Sequence, residues 1–120
     1  MKTNLFLLAF LIYVVVPSHA ALKVVGKGSS LAFDTSNFPP QMKASYEIMK
    51  NKCTKCHSLE RTIVAVTSGI GPISGQPFDR KATEAYGAKM KRKPESNMNA
   101  REVKDVVELL NYLIVKNARQ

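Results

Sequence analysis

The stretch Cys53-Thr54-Lys55-Cys56-His57 is a C-x-x-C-H motif, and it decides how the rest of the chain is interpreted. Two thiols at this spacing can each form a thioether with one vinyl group of a haem, and the histidine that follows can ligate the iron through a neutral imidazole nitrogen. The chain has two cysteines and two histidines, and the motif uses both cysteines and one histidine. The motif therefore predicts covalent attachment of one haem c.

Three other uses of a C-x-x-C pair compete with this interpretation. Two close cysteines in an oxidising compartment often form a disulfide. A closed zinc site would need a fourth protein ligand besides the two thiols and His57. A thioredoxin-like site would need a βαβ framework, which the sequence does not predict. The adjoining histidine and the absence of any further cysteine favour haem.

Residues 1–20 have the pattern of a secretory signal peptide. Lys2 precedes the unbroken apolar run Leu5–Val16, and Ser18-His19-Ala20 places small residues where a signal peptidase recognises them. We expect cleavage after this tripeptide and a periplasmic or extracellular protein. An uncleaved membrane anchor is the alternative, but the run is short for a hydrocarbon core of about 30 Å, so stable membrane insertion is not expected.

The mature chain is predicted to be a single all-α domain with an irregular extension at its start. Residues 21–38 are rich in glycine and serine, and we expect Phe33 and Phe38 to attach them to the domain. Pro39-Pro40 suits the first turn of a helix over residues 41–52, because proline is tolerated where the backbone N–H would be unpaired. The apolar stripe of this helix consists of Met42, Tyr46 and Met49.

Two further helices are predicted after the motif. Asp79 is a suitable N-cap for a helix over residues 80–91. Asn99 is a suitable N-cap for the last helix, and Glu102 three residues later matches a capping box. The apolar residues of the last helix follow helical spacing: Val103, Val106, Val107, Leu110, Leu113 and Ile114.

The stretch of residues 58–77, between the motif and the second helix, is predicted to be irregular. Its segment Ile63–Val66 has the composition of a strand, but the sequence offers no second strand to pair with it. We therefore expect a loop or a short helical turn that packs against the haem.

From about residue 40 to residue 116 the chain resembles the small single-haem cytochromes c of class I. In that family an N-terminal helix leads directly into C-x-x-C-H and crosses a C-terminal helix near an aromatic-leucine pair, which is matched here by Tyr112-Leu113. Met49 stands where the family has a large apolar residue at this crossing, and Ser45 stands where glycine is usual. The resemblance implies a cytochrome c fold over residues 39–120, with helices packed around one covalently attached haem.

The resemblance also implies two contacts near the haem. The family has a glycine-proline pair whose proline carbonyl accepts a hydrogen bond from the second ring nitrogen of the ligating histidine, and Gly71-Pro72 matches it, with an ordinary turn as the alternative. Arg61, four residues after His57, matches an arginine that pairs with a haem propionate in some relatives. A plain surface arginine is the alternative there.

A methionine thioether is the sixth iron ligand that the family implies. The number of histidines agrees with this, because removal of His19 with the signal peptide leaves His57 as the only histidine and no second one to ligate the iron. We prefer Met90, since Tyr86–Met90 matches an aromatic-x-x-x-Met stretch of several relatives. Met98 is the alternative, because many relatives place this methionine in an extended loop, and a lysine or a water molecule also stays open.

The expected function is the transport of single electrons between redox partners, without enzymatic activity. The alternative is a haem-based ligand sensor or a peroxidase-like enzyme with a displaceable sixth ligand, although no distal histidine is available for acid–base chemistry. Loss of Lys2 lowers the formal net charge from +9 to +8. Lys55 and the run Lys89–Lys93 then predict partners with acidic surfaces, or simply a well-solvated surface. No nucleic-acid motif is present, and a monomer is expected.

Overall fold

The computed structural model describes residues 20–119, which form four helices and a small antiparallel sheet. The described chain is mostly helical, as predicted. The signal-peptide prediction concerns residues that lie outside this range, apart from Ala20. Within residues 20–119, none of the helices has the length and apolar character needed to cross a membrane.

The first and last helices begin as their sequences predict. Helix α1 spans Pro40–Cys53, with proline in its first turn. Helix α4 spans Ala100–Asn117 and is preceded by the predicted capping box. The Asn99 side chain accepts the backbone N–H of Glu102 at 2.9 Å, and the Glu102 carboxylate accepts the backbone N–H of Asn99 at 2.9 Å. Two backbone donors that no helical carbonyl can reach are thereby satisfied.

Helix α4 is the centre of the hydrophobic core and contacts each of the other three helices. Its buried side chains recur at helical spacing and are Val106, Leu109, Leu110 and Leu113. Helix α1 contributes the buried residues Ser45, Tyr46 and Met49 to this core. The predicted stripe on α1 is therefore confirmed, although Met42 at its start is only half-buried.

The segment after the motif is more regular than predicted, because helix α2 spans Glu60–Ser68. The prediction of an irregular stretch over residues 58–77 is wrong there, but the expectation that Ile63–Val66 is a loop or helical turn, not a strand, is right in its helical form. The β-branched composition of the segment disfavours a helix slightly, but burial overrides this preference. Ile63 and Val66, one helical turn apart, are both buried in the core. Gly69 ends the helix in the left-handed conformation with φ 72°, which is least costly without a Cβ atom.

The N-terminal extension is also more ordered than predicted. Strand β1, Val24–Val25, pairs antiparallel with strand β2, Ala32–Phe33, around a 3₁₀ turn at Gly28–Ser30. The glycines and serines that indicated an irregular chain instead form the turn of a small hairpin. Phe33 and Phe38 are buried as expected, and the Phe33 N–H donates to the Tyr46 hydroxyl at 2.8 Å.

Helix α3 spans Arg80–Lys91 and has the predicted N-cap, since the Asp79 carboxylate accepts the N–H of Ala82 at 2.9 Å. A 3₁₀ turn at Pro94–Ser96 follows the helix. Because proline has no N–H to donate, the helix cannot continue through this turn.

Small residues allow α3 to approach α4 closely. Thr83 is fully buried, and its hydroxyl donates to the Asn111 side-chain oxygen at 2.8 Å. One turn later, a Cβ atom on Gly87 would lie 2.6 Å from Cγ2 of Val107. This close contact determines where the end of α3, including Met90, lies in the molecule.

Candidate functional site

The C-x-x-C-H motif lies where helix α1 ends. Cys53 is the last residue of α1 and is buried, whereas Cys56 is exposed on the turn that follows. The two cysteines are free thiols and do not form a disulfide in this structure. Burial raises the pKa of the Cys53 thiol to about 11, because apolar surroundings disfavour the thiolate.

The ring of His57 is half-buried and has a defined partner. Its Nδ1 atom lies 2.9 Å from the backbone carbonyl oxygen of Ser58. A carbonyl oxygen only accepts hydrogen bonds, so Nδ1 carries the hydrogen of the neutral ring and Nε2 keeps its lone pair. The imidazole therefore has the tautomer in which Nε2 can ligate a metal.

Pro72, the predicted partner of Nδ1, lies in a separate loop of residues 69–78. This loop closes on itself, since the Gly71 N–H donates to the Gln76 carbonyl at 2.8 Å and the Gly75 N–H donates to the Gly71 carbonyl at 2.8 Å. Pro72 is exposed at the edge of a cavity that His57 also lines. In this structure Ser58 therefore occupies the place that the sequence assigned to Pro72, and contact between Pro72 and His57 stays a prediction.

A first cavity, of about 280 Å³, brings the motif together with both methionine candidates. Its lining includes Cys53, Cys56 and His57 from the motif, and Met90 and Met98 from the second half of the chain. These two methionines come from the end of α3 and from the segment before α4. The tertiary structure thus assembles two thiols, an imidazole and two thioethers around one space.

A second cavity, of about 540 Å³, shares His57 and Met90 with the first. Arg61 and Pro72 also line it, so every site residue predicted from the sequence borders at least one of the two cavities. Arg61 is exposed, in the first turn of α2. The apolar part of the lining includes Ala65, Ile73, Phe78, Ala82, Ala85 and Tyr86.

The two cavities are lined by the kinds of group that bind a largely apolar cofactor. Cofactor sites are typically clefts of about 300–1,000 Å³ with apolar walls and a few placed polar groups. Here those polar and soft groups are two free thiols, an imidazole with an available Nε2 and a thioether. They are the groups that covalent attachment and axial ligation of haem require. The residues present therefore fit haem c.

The two methionines differ in their surroundings. Met90 is half-buried and borders both cavities. Met98 borders the first cavity but not the second, and its side chain packs against the hydrophobic core. The side chain of Met90 is therefore less committed to core packing than that of Met98.

Tyr86 joins helices α2 and α3 beside the second cavity. Its hydroxyl lies 3.4 Å from the hydroxyl of Thr62, and its ring meets Phe78 edge to face at a centroid distance of 6.4 Å. Burial is the main reason why the pKa of Tyr86 is raised, so this phenol is neutral at physiological pH.

Sequence reasoning missed two residues that organise the site. Ser96 is buried and donates to the carbonyl oxygens of Met90 at 2.9 Å and Lys93 at 2.8 Å. Lys52, just before the first cysteine, donates to the carbonyl oxygen of Asn97 at 2.7 Å. The Lys52 contact joins residues 45 positions apart in the chain, so no local pattern could have indicated it.

Among residues 20–119, no three histidine, cysteine, aspartate or glutamate side chains are grouped so that they could hold a metal ion by themselves, and this includes the two cysteines and the histidine of the motif. Comparison of the chain with protein-family models, with curated proteins and with solved structures finds no match.

Proposed function

We propose that this chain is a secreted c-type cytochrome with a cytochrome c fold, which carries single electrons between redox partners. One haem would be attached through Cys53 and Cys56 and ligated by His57. The observation that carries the proposal is that the C-x-x-C-H motif borders a cavity that also contains Met90. A larger and mostly apolar cavity also has His57 and Met90 in its lining, so these two residues border both spaces in which a haem would have to fit.

The two cysteines and the histidine of the motif have distinct tasks in this proposal. The haem, when bound, supplies a one-electron couple between two iron oxidation states. The thioether bonds formed by Cys53 and Cys56 would hold the haem in place, so the protein would not lose it between electron transfers. His57 presents Nε2, and the Ser58 carbonyl keeps the ring in the tautomer that leaves this nitrogen available.

Met90 is the proposed sixth ligand. Its side chain borders both cavities, whereas Met98 borders one of them and packs against the core. A thioether is a soft, neutral ligand that favours the reduced iron and raises the reduction potential relative to a second histidine. With both axial positions held by side chains, the iron can change oxidation state with little movement.

The charges around the cavities support an acidic redox partner. Lys89 and Lys93 border the larger cavity, and Lys52 and Lys93 border the smaller one. Glu95 is the one carboxylate among the residues that line these two cavities. A positive surface near the site of electron transfer would speed encounter with an acidic partner, and this effect would weaken as salt is added.

A redox titration followed by visible spectroscopy tests the proposal. The full chain would be produced in a bacterial host that attaches haem to exported proteins. We expect a low-spin c-type spectrum and one reversible one-electron transition. Recovery of the protein with an unmodified mass and no haem spectrum would refute the proposal. Rapid binding of carbon monoxide to the reduced protein, without denaturant, would instead support the ligand-sensor or peroxidase alternative.

The sixth ligand is tested by comparing Met90→Ala with Met98→Ala in the haem-loaded protein. Methionine ligation gives the oxidised protein a weak far-red absorption band. We expect Met90→Ala to abolish this band and Met98→Ala to retain it. The reverse result would assign the ligand to Met98, and absence of the band from the wild-type holoprotein would point to a lysine or a water molecule.

A further inference from the structure

We propose that Ser96 positions the methionine ligand, by holding the backbone of Met90 through its hydroxyl group. The inference rests on the proposed function, and it adds a residue that the motif and its neighbours do not indicate. Ser96 would act through the backbone of Met90, and it also borders the smaller cavity.

The hydrogen bond of Ser96 replaces one that the helix cannot make. In a continuing helix, the carbonyl of Met90 would accept the N–H of residue 94, but Pro94 has no N–H. Two other groups serve this carbonyl instead: the Lys93 N–H at 3.0 Å and the Ser96 hydroxyl at 2.9 Å. The last turn of α3 is therefore closed by a side chain from the following 3₁₀ turn.

The burial of Ser96 makes this contact consequential. Only 6% of the residue is exposed, and its hydroxyl has the carbonyl of Lys93 at 2.8 Å as a second acceptor. Without this hydroxyl, the Met90 carbonyl would keep the Lys93 N–H but lose its side-chain donor. Replacement of this hydroxyl would therefore leave the backbone of Met90 less tightly held, and the thioether would have more freedom to leave the iron.

A second contact holds the same segment at its other end. The Lys52 ammonium donates to the Asn97 carbonyl at 2.7 Å and lies 3.5 Å from the Glu102 carboxylate. Asn97 adopts the left-handed conformation with φ 47° and immediately precedes Met98. The two contacts thus act on different methionines, Ser96 on Met90 and Lys52 on the residue before Met98.

Competition by imidazole measures how firmly the thioether is held. Added imidazole displaces a methionine from oxidised iron, so its apparent affinity rises when the methionine is less well positioned. A net hydrogen bond contributes about 0.5–1.5 kcal/mol, and about 1.4 kcal/mol corresponds to a tenfold change in an equilibrium constant. We expect Ser96→Ala to bind imidazole up to about tenfold more tightly than the wild-type holoprotein.

Matched variants separate positioning from general stability. Ser96→Thr keeps the hydroxyl and should bind imidazole as the wild type does. Ser68→Ala is the control, because Ser68 also donates to a carbonyl one turn back, that of Val64 at 2.6 Å, and does not border either cavity. If Ser96→Ala does not yield folded holoprotein, Ser96→Cys carries the same test, since it is similar in size and only a weak donor.

Two results would overturn the inference. One is an imidazole affinity of Ser96→Ala within twofold of the wild type, even if its melting temperature falls. The other is an imidazole affinity that changes in Lys52→Met but not in Ser96→Ala. That result would assign the positioning role to the Lys52 contact, next to Met98. Failure of the proposed function is distinguishable from both, because the wild-type chain would then show no haem spectrum before any variant is compared.

Discussion

The contact region between α1 and α4 is filled by side chains, whereas the region between the motif, α2 and α3 contains two cavities. Met49 is 1% exposed, and Leu109, Leu110 and Leu113 are fully buried. On the other side, His57 and Met90 border spaces of about 280 and 540 Å³. Protein interiors are normally packed as densely as organic crystals. The difference indicates that one region supplies stability, whereas the other leaves space in which a ligand could lie.

The largest effect is expected in the filled region. Leu113→Ala removes a fully buried side chain of α4 and should lower the free energy of unfolding by about 3 kcal/mol, through lost burial and the cavity that remains. Chemical denaturation of the haem-loaded protein measures this change. Val115→Ala is the control, because Val115 is on the same helix and is 44% exposed. Equal losses in the two variants would contradict the distinction between the regions.

The border between the two regions is tested at Gly87. In an open helical position Gly→Ala would stabilise by about 1 kcal/mol, but here the new Cβ would lie 2.6 Å from Cγ2 of Val107. We expect Gly87→Ala to destabilise by about 1–2 kcal/mol and to weaken the far-red band, because α3 must move away from α4 and carry Met90 with it.

A second substitution makes the Gly87 experiment specific. Val107→Ala removes the methyl group that the new Cβ would meet, so the double variant Gly87→Ala/Val107→Ala should recover the far-red band. Its loss of free energy of unfolding should also be smaller than the sum of the losses in the two single variants. A Gly87→Ala variant that is more stable than the wild type would show that α3 and α4 are not in close contact there.

The smallest expected effect concerns the two thiols of the motif in the haem-free protein. Burial raises the pKa of Cys53 to about 11, so about one thousandth of this thiol is ionised at pH 8. Cys56 is exposed. Because the thiolate is the reactive form, we expect iodoacetamide to modify Cys56 at least about tenfold faster than Cys53. Mass spectrometry of the peptides measures the ratio.

The pH dependence of the same experiment has a defined sign. A raised folded-state pKa means that the buried neutral thiol of Cys53 contributes its full stabilisation below the ordinary pKa of 9.0, and that this is lost as the pH rises from there towards about 11. Modification of Cys53 should accelerate over the same range. In concentrated urea the preference for Cys56 should disappear, and its persistence there would contradict burial as the cause.

The elements predicted correctly are those with local signals. The N-caps Asp79 and Asn99 are side chains that each satisfy a backbone donor three residues away, so short patterns reveal them. The helical period of α4 is local in the same sense. Helix α2 was missed because its β-branched residues favour a strand in isolation, and because its helical form depends on burial against residues distant in the chain.

The candidate site divides in the same way. The five residues from Cys53 to His57 predict haem attachment and one iron ligand, since that prediction requires only their types and spacing. The preference for Met90 over Met98 began from a short pattern, the aromatic-x-x-x-Met stretch Tyr86–Met90. The larger cavity that Met90 borders is support of a different kind, because it exists only after α2 and α3 have packed.

The amino-acid sequence alone reveals the C-x-x-C-H motif, the N-caps and apolar period of the helices, and the presence of a single histidine after residue 20. These depend on residue types and on separations of a few positions. Only the tertiary structure decided that Ser58 faces His57 Nδ1, that Ser96 holds the carbonyl of Met90, and that Lys52 holds that of Asn97. Such contacts depend on where packed helices end, because unpaired backbone carbonyls take whichever donor the fold brings within reach.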